Sequence, residues 1–158
     1  MFTLTSAAFH DHHAIPKHFT CEGEEISPPL AWSGAPAGTK TFALIVEDPD
    51  APDPDAPQRI FVHWLLYNIP ADVLLLAEGA SSAALPKGAA QGRKDFGQAN
   101  YGGPCPPIGR HRYFFKLHAP DALLPADKVP DRKALEAAMQ GHVLEQVELV
   151  GTFQKGDP

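Results

Sequence analysis

Clustered positive charge is missing from this chain. Its 158 residues hold only 13 Lys+Arg against 19 Asp+Glu, a formal net charge of −6. With no basic patch or Arg-rich run, the composition argues against a nucleic-acid partner, because affinity for a phosphate backbone rests on clustered cations. A single phosphate stays within reach, since a few aimed donors suffice for one. Long apolar runs are missing too. None approaches the roughly 20 residues that span a bilayer, so no transmembrane segment is expected. Met1-Phe2-Thr3-Leu4-Thr5 lacks the basic and apolar regions of a signal peptide, and a cytoplasmic location is expected. Cysteine is scarce, with Cys21 and Cys105 the two present. Two free thiols are the default reading for a cytosolic chain. Neither cysteine sits in a CxxC or a short Cys/His cluster, so a zinc site is disfavoured and no metal or cofactor is expected.

Catalytic signatures are equally thin. Ser6, Ser27 and Ser33 are possible nucleophiles for a Ser/His/Asp hydrolase, but no GxSxG elbow surrounds them. No GxGxxG follows a strand and no GxxxxGK[ST] is present, so nucleotide binding through those loops has no support. His10, His12 and His13 do not make a metal-ligand set at helical spacing and read as a solvated loop.

What the chain does have is proline and glycine, 17 and 13 residues. Proline breaks helices and cannot donate to a ladder, which favours short strands joined by ordered turns. The length is that of a single domain spanning residues 1–158. Thr3–Phe9 reads as an opening strand and Pro28–Trp32 as extended chain leading into another. Lys40–Val46 is a strand bounded by Gly38 and Pro49. Asp48-Pro49-Asp50-Ala51-Pro52 follows and repeats at once as Asp53–Pro57, which reads as a rigid acidic turn. Arg59–Ile69 is a central strand. Alternation puts Phe61, His63, Leu65 and Tyr67 on one face and Val62, Trp64, Leu66 and Asn68 on the other. Ala77–Lys94 reads as irregular loop and Gly102–Gly109 as a tight loop. Arg110–Ala119 is a strand with His111, Tyr113, Phe115 and Leu117 on one face. Asp131–Gln146 is the one convincing helix, with Asp131 as N-cap and Leu135, Ala138, Met139, His142 and Val143 at helical spacing. Glu148–Phe153 closes the chain as a strand. The order argues for a β-rich α+β domain rather than a βαβ fold.

Two of these strands carry one histidine each on an otherwise apolar face, His63 and His111. The Asp48–Pro52 turn adds carboxylates, and the Gly102–Gly109 loop adds backbone that can approach a ligand closely. A neutral histidine donates from one ring nitrogen and accepts at the other, so a carboxylate partner decides which end faces the ligand. Together these groups suit a phosphate or a carboxylate.

Three motifs then become specific as an ordered set: Asp48-Pro49-Asp50-Ala51-Pro52, Val62-His63-Trp64, and Gly103-Pro104-Cys105-Pro106-Pro107 followed by Gly109-Arg110-His111-Arg112-Tyr113. The chain resembles the phosphatidylethanolamine-binding protein family, and most of all its bacterial and archaeal, Raf kinase inhibitor-like branch. Ile26–Trp32, Asn68-Ile69-Pro70-Ala71 and Glu148–Phe153 support the likeness, which covers nearly the whole chain. The resemblance implies a large antiparallel sheet packed on a smaller one, with Greek-key connections. It implies a non-enzymatic anion pocket built from Asp48, His63, Gly103, Pro104, His111 and Tyr113, with Asp50, Pro52 and Trp64 in support, and a cis peptide at Ala51-Pro52. It implies a small anionic ligand such as phosphate, carboxylate or a phosphoethanolamine head group. A kinase or protease held at the pocket rim is the alternative partner, phosphoester hydrolysis a lesser one, and a homodimer the family-level expectation. Relative to eukaryotic relatives the second acidic repeat is an insertion. Relative to the same relatives, no C-terminal helix is expected beside the pocket, which is expected to be more open. The resemblance also brings Cys21 near Cys105, which makes a disulfide between them the alternative to free thiols.

Overall fold

The apolar, β-branched runs of the chain form nine strands among the residues that the computed structural model describes, which are 1–83, 85–95, 97–125 and 129–157. They are β1 (Thr3–Thr5), β2 (His13–Ala14), β3 (Leu30–Ser33), β4 (Thr41–Ala51), β5 (Arg59–Pro70), β6 (Leu75–Leu76), β7 (Ala90–Gln91), β8 (His111–Pro120) and β9 (Val143–Phe153). One α-helix, α1 (Arg132–Met139), lies between β8 and β9. Ala84, in the stretch read as irregular loop, and Pro158 lie outside the described residues.

A six-stranded sheet runs in the order β2-β9-β8-β4-β5-β7, and a three-stranded sheet in the order β1-β3-β6. The long pairings are antiparallel. The two-residue β2 lies parallel to β9 at the edge, a local departure from the expected all-antiparallel sheet. The chain leaves β5 and returns by a long connection to lie beside β4, the crossing connection of a Greek key.

The large sheet is covered on both faces. Phe42, Leu44, Val46, Trp64, Leu66, Phe115 and Leu117 pack toward the small sheet, which contributes Leu4, Leu30 and Trp32. Ala43, Ile45, Val62, Leu65 and Tyr67 pack on the opposite side against Leu124, Leu135 and Met139. The near-continuous apolar runs of β4 and β5 follow from this double burial.

The structure corrects four expectations. First, β4 does not stop at Val46 but runs through the first acidic repeat to Ala51, while the second repeat makes the turn into β5. Second, the helix is half as long as its spacing suggested. Asp131 caps it, accepting from Ala134 N–H at 2.9 Å. It ends because Gly141, at φ 80°, takes a left-handed conformation that other residues resist. Val143 then pairs with Pro120, so residues 143–146 are strand rather than helix. Third, the stretch read as irregular loop contains β7, hydrogen-bonded to the edge of β5.

The fourth correction concerns β5, whose alternation is broken twice. Val46 faces Trp64 while Glu47 faces Val62, leaving His63 as an extra residue. Phe42 faces Ile69 while Leu44 faces Leu66, so Tyr67 and Asn68 together oppose Ala43. Each bulge shifts the side-chain phase by one residue. His63 therefore lies in the same layer as Trp64, and Leu65 and Tyr67 turn to the helix side.

Candidate functional site

Beyond the two cores, the ends of β4, β5 and β8 and the 103–107 loop enclose a cavity of about 300 Å³. Asp48, His63, His111, Tyr113 and Gly103 all line it, as does Pro52. Pro104, Asp50 and Trp64 do not. Pro104 instead accepts from Cys21 N–H at 3.1 Å. Asp50 accepts from the Arg112 backbone at 2.9 Å and grips its guanidinium at 2.9 and 3.0 Å. Trp64 donates from Nε1 to Gln91 Oε1 at 2.6 Å and sits behind the cavity. Sequence reasoning missed Arg59 and Phe61, which also line it. Their signal was present, since both belong to the strand that carries His63.

The two acidic repeats make the same local turn. Asp48 Oδ1 accepts from Asp50 N–H at 2.7 Å, and Asp53 Oδ1 accepts from Asp55 N–H at 2.9 Å. Burial separates them. The first turn is buried and the second is exposed. The peptide at Ala51-Pro52 is cis.

Asp48 uses its second oxygen on His111, with Oδ2 lying 2.5 Å from Nδ1. His111 Nε2 is 2.8 Å from the Ile108 carbonyl. A carbonyl can only accept, so Nε2 carries a hydrogen. The Nδ1 contact needs a further proton, held either as imidazolium and carboxylate or as imidazole and carboxylic acid. Either way the pair is neutral overall. Burial pushes the Asp48 carboxyl upward, against the lowering effect of the His111 hydrogen bond. Both nitrogens of His111 are thereby spent on the protein, so this ring positions the site rather than offering an atom to a ligand.

His63 differs. It is 6% exposed, and its Nδ1 lies 2.9 Å from the Gly102 carbonyl, so Nδ1–H donates and Nε2 is the remaining polar atom. Burial lowers this imidazole to about 4, which keeps the ring neutral near pH 7. Tyr113 stands edge-on to it, with ring centroids 5.3 Å apart. The Tyr113 hydroxyl is buried with no hydrogen-bond partner among the described residues, and burial pushes its ionisation upward. Arg59 lies over the Phe61 ring at 5.0 Å and pairs with Asp95 at 3.2 Å, leaving a guanidinium at the rim.

The glycine loop serves a purpose other than the expected one. Gly102 N–H donates to the His63 carbonyl at 2.8 Å and Gly103 N–H to Glu25 Oε2 at 3.2 Å. These amides are spent within the protein. A Cβ on Gly103 would stand 2.7 Å from the Phe19 carbonyl oxygen, so the glycine permits close approach to residues 19–25 rather than to a ligand. Cys21 and Cys105 are joined as a disulfide with Cα atoms 5.4 Å apart. The default of two free thiols therefore does not hold in this structure.

No group of three His, Cys, Asp or Glu side chains among the described residues is placed to hold a metal ion. No helix among them is long and apolar enough to cross a membrane.

Comparison with known proteins agrees with this architecture. The profile of the phosphatidylethanolamine-binding protein family matches residues 5–154. The UPF0098 protein of Methanothermobacter thermautotrophicus is 44% identical over 154 residues, covering 97% of this chain and 99% of that one. Among solved structures, the phosphatidylethanolamine-binding protein homologue CT736 of Chlamydia trachomatis superposes with a TM-score of 0.89 at 40% identity, covering 98% and 97% of the two chains. Escherichia coli YbcL, described as a member of the mammalian family, gives a TM-score of 0.87 at 35% identity over 97% and 98%. None of these relatives bears the name of an enzyme. The chain belongs to the phosphatidylethanolamine-binding protein family.

Proposed function

We propose that this protein is a single-domain binding module that holds a small anion, phosphate-like or carboxylate, in the cavity between the ends of β4, β5 and β8. The observation that carries this reading is Tyr113, a residue of the cavity wall whose buried hydroxyl has no hydrogen-bond partner among the described residues. Leaving such a donor unmet costs about 1–3 kcal/mol, so a site that retains one gains when an acceptor arrives. Arg59, ion-paired with Asp95, brings guanidinium N–H donors to the rim, and Phe61, Pro106 and Pro107 give apolar walls. Asp48 and His111 hold one end of β4 against β8 as a neutral pair, so they shape the site without repelling an anion.

The test is a nuclear magnetic resonance titration with inorganic phosphate and with phenyl phosphate. The expected result is a joint shift of the Tyr113 and His63 ring signals at millimolar ligand. Tyr113→Phe should weaken binding about tenfold, the scale of one hydrogen bond to a charged group. Absence of any shift at those concentrations, or a Phe variant that binds as tightly, refutes the reading.

A further inference from the structure

A second cavity, of about 410 Å³, opens where the C-terminal end of α1 meets β8 and the start of β9. It shares no lining residue with the anion cavity. Gly141 turns the chain at the end of α1, at φ 80°, and Gln146 then pairs with His118. The short connection between them holds the end of the helix beside His118.

The polar groups of this cavity are mostly acceptors. His118 is 8% exposed, and its Nδ1 lies 3.3 Å from the Ala43 carbonyl. A carbonyl only accepts, so Nδ1–H donates and Nε2 keeps a lone pair. No group among the described residues hydrogen-bonds to that lone pair. Burial holds the ring below the usual imidazole range. Lys116 on β8 also opposes a charge there, while Glu136 on α1 and Glu47 on β4 favour one without prevailing. Glu136 brings a carboxylate to the same cavity. Arg132 meets it at 3.2 Å but is shared with Glu47 at 3.2 Å, and the Glu136 side chain stays 48% exposed. The third acceptor is the helix end itself. Aligned peptide dipoles leave a partial negative charge there, and α1 has no basic residue in its last turn to offset it.

We propose that this cavity binds a small primary alkylammonium ion. Its N–H groups donate to His118 Nε2, to the Glu136 carboxylate and to the carbonyl end of α1, and its alkyl stem rests on Ala137 and Val143. Three hydrogens on the ammonium then meet three kinds of acceptor. A neutral imidazole suits this cation, because a protonated ring would repel it and offer a second donor. An anion would face a lone pair, a carboxylate and a negative helix end. A metal ion fits less well, since no three His, Cys, Asp or Glu side chains among the described residues are placed to hold one.

A nuclear magnetic resonance titration of the whole chain at pH 8 tests this, with butylammonium chloride and with tetramethylammonium chloride at equal ionic strength. At that pH an alkylamine is charged, as lysine is, and the His118 ring is neutral. Butylammonium should shift the His118 ring signals and the amides of residues 137–141 saturably at millimolar concentration, and leave His63 unmoved. Tetramethylammonium has the same charge and no N–H, and should bind about tenfold more weakly or less. Glu136→Gln changes an exposed helix position, where the fold should persist, and should weaken butylammonium about tenfold, the scale of one hydrogen bond to a charged group. His118→Phe keeps a ring, removes Nε2 and should weaken it by a similar factor. Equal affinity for the two cations reduces the cavity to unspecific attraction and overturns the inference. So does a Glu136→Gln variant that binds unchanged, or the absence of any saturable shift at millimolar butylammonium.

Discussion

Removing the Cys21–Cys105 bond separates two roles that a disulfide beside a pocket can have. The cysteines are 84 residues apart in sequence, and on the chain-entropy relation a closed loop of that length is worth about 4.5 kcal/mol at 25 °C. Against a total stability of roughly 5–15 kcal/mol that is a large share. For a chain of this size it corresponds to roughly 10–15 °C in melting temperature. The native geometry depends much less on the bond, because the same two segments are tied three more times. Cys21 N–H reaches the Pro104 carbonyl at 3.1 Å, Gly103 N–H reaches Glu25 at 3.2 Å, and the Tyr101 hydroxyl reaches the Phe19 carbonyl at 2.8 Å. The double variant Cys21→Ser/Cys105→Ser should therefore unfold about 4.5 kcal/mol more easily in urea, with a larger m-value from its more expanded denatured state. Its affinity for phosphate at 25 °C should change by less than about threefold, since the three hydrogen bonds still hold the loop. A stability loss below about 1 kcal/mol refutes the entropic argument. A collapse of phosphate binding with stability retained refutes the claim that the hydrogen bonds fix the loop, and would make the bond a redox gate instead.

Three further outcomes follow from buried groups. Between pH 6.5 and 4 the unfolded chain protonates His63 while the folded chain does not, so stability rises with pH there. Acidification from pH 7 to 4 should cost about 3 kcal/mol through this ring, and urea unfolding at both ends of the range should show a smaller loss for His63→Gln; equal losses would contradict the assignment. Asn68 donates to the Leu124 carbonyl at 2.9 Å, accepts from its N–H at 2.8 Å and sits at φ 57°. Asn68→Ala should lose about 3–5 kcal/mol in denaturant titrations, and Asn68→Gly, which tolerates that φ, about 1 kcal/mol less. Gly103→Ala sets a methyl against the backbone of Phe19 and Thr20 and should lose about 2 kcal/mol by thermal melting, where a neutral result would mean that the 19–25 segment yields freely.

How far the fold could be read depended on whether a strand kept its period. β8 did. His111, Tyr113, Phe115 and Leu117 alternate without interruption, and all four are buried in the structure. β5 did not, and the reading of its faces failed beyond His63. Asn68 carried a warning, because a short polar residue inside an apolar run suits the left-handed conformation that a bulge can require. Nothing local marked the bulge at His63, which is fixed by the register with β4 and so by a partner 16 residues away. The helix end was legible in Gly141 but was outvoted by the spacing of His142 and Val143, which satisfy a 3.6-residue and a 2-residue period equally over so short a span.

The site was legible as residue types and not as atoms. The ordered motifs gathered Asp48, His63, His111 and Tyr113, and the structure sets all four on one cavity. Which of them can meet a ligand depends on hydrogen bonds that no motif encodes. His111 and Asp48 looked like ligand groups but consume each other, and the Ile108 carbonyl takes the last free nitrogen. The glycine amides looked like an anion cradle but serve His63 and Glu25. What remains is the Tyr113 hydroxyl and one nitrogen of His63. The character of that nitrogen was set 39 residues away by the Gly102 carbonyl. Had Gly102 presented an N–H to the ring instead, Nδ1 would accept and Nε2 would donate. Whether that nitrogen accepts or donates thus turns on the direction of one backbone carbonyl.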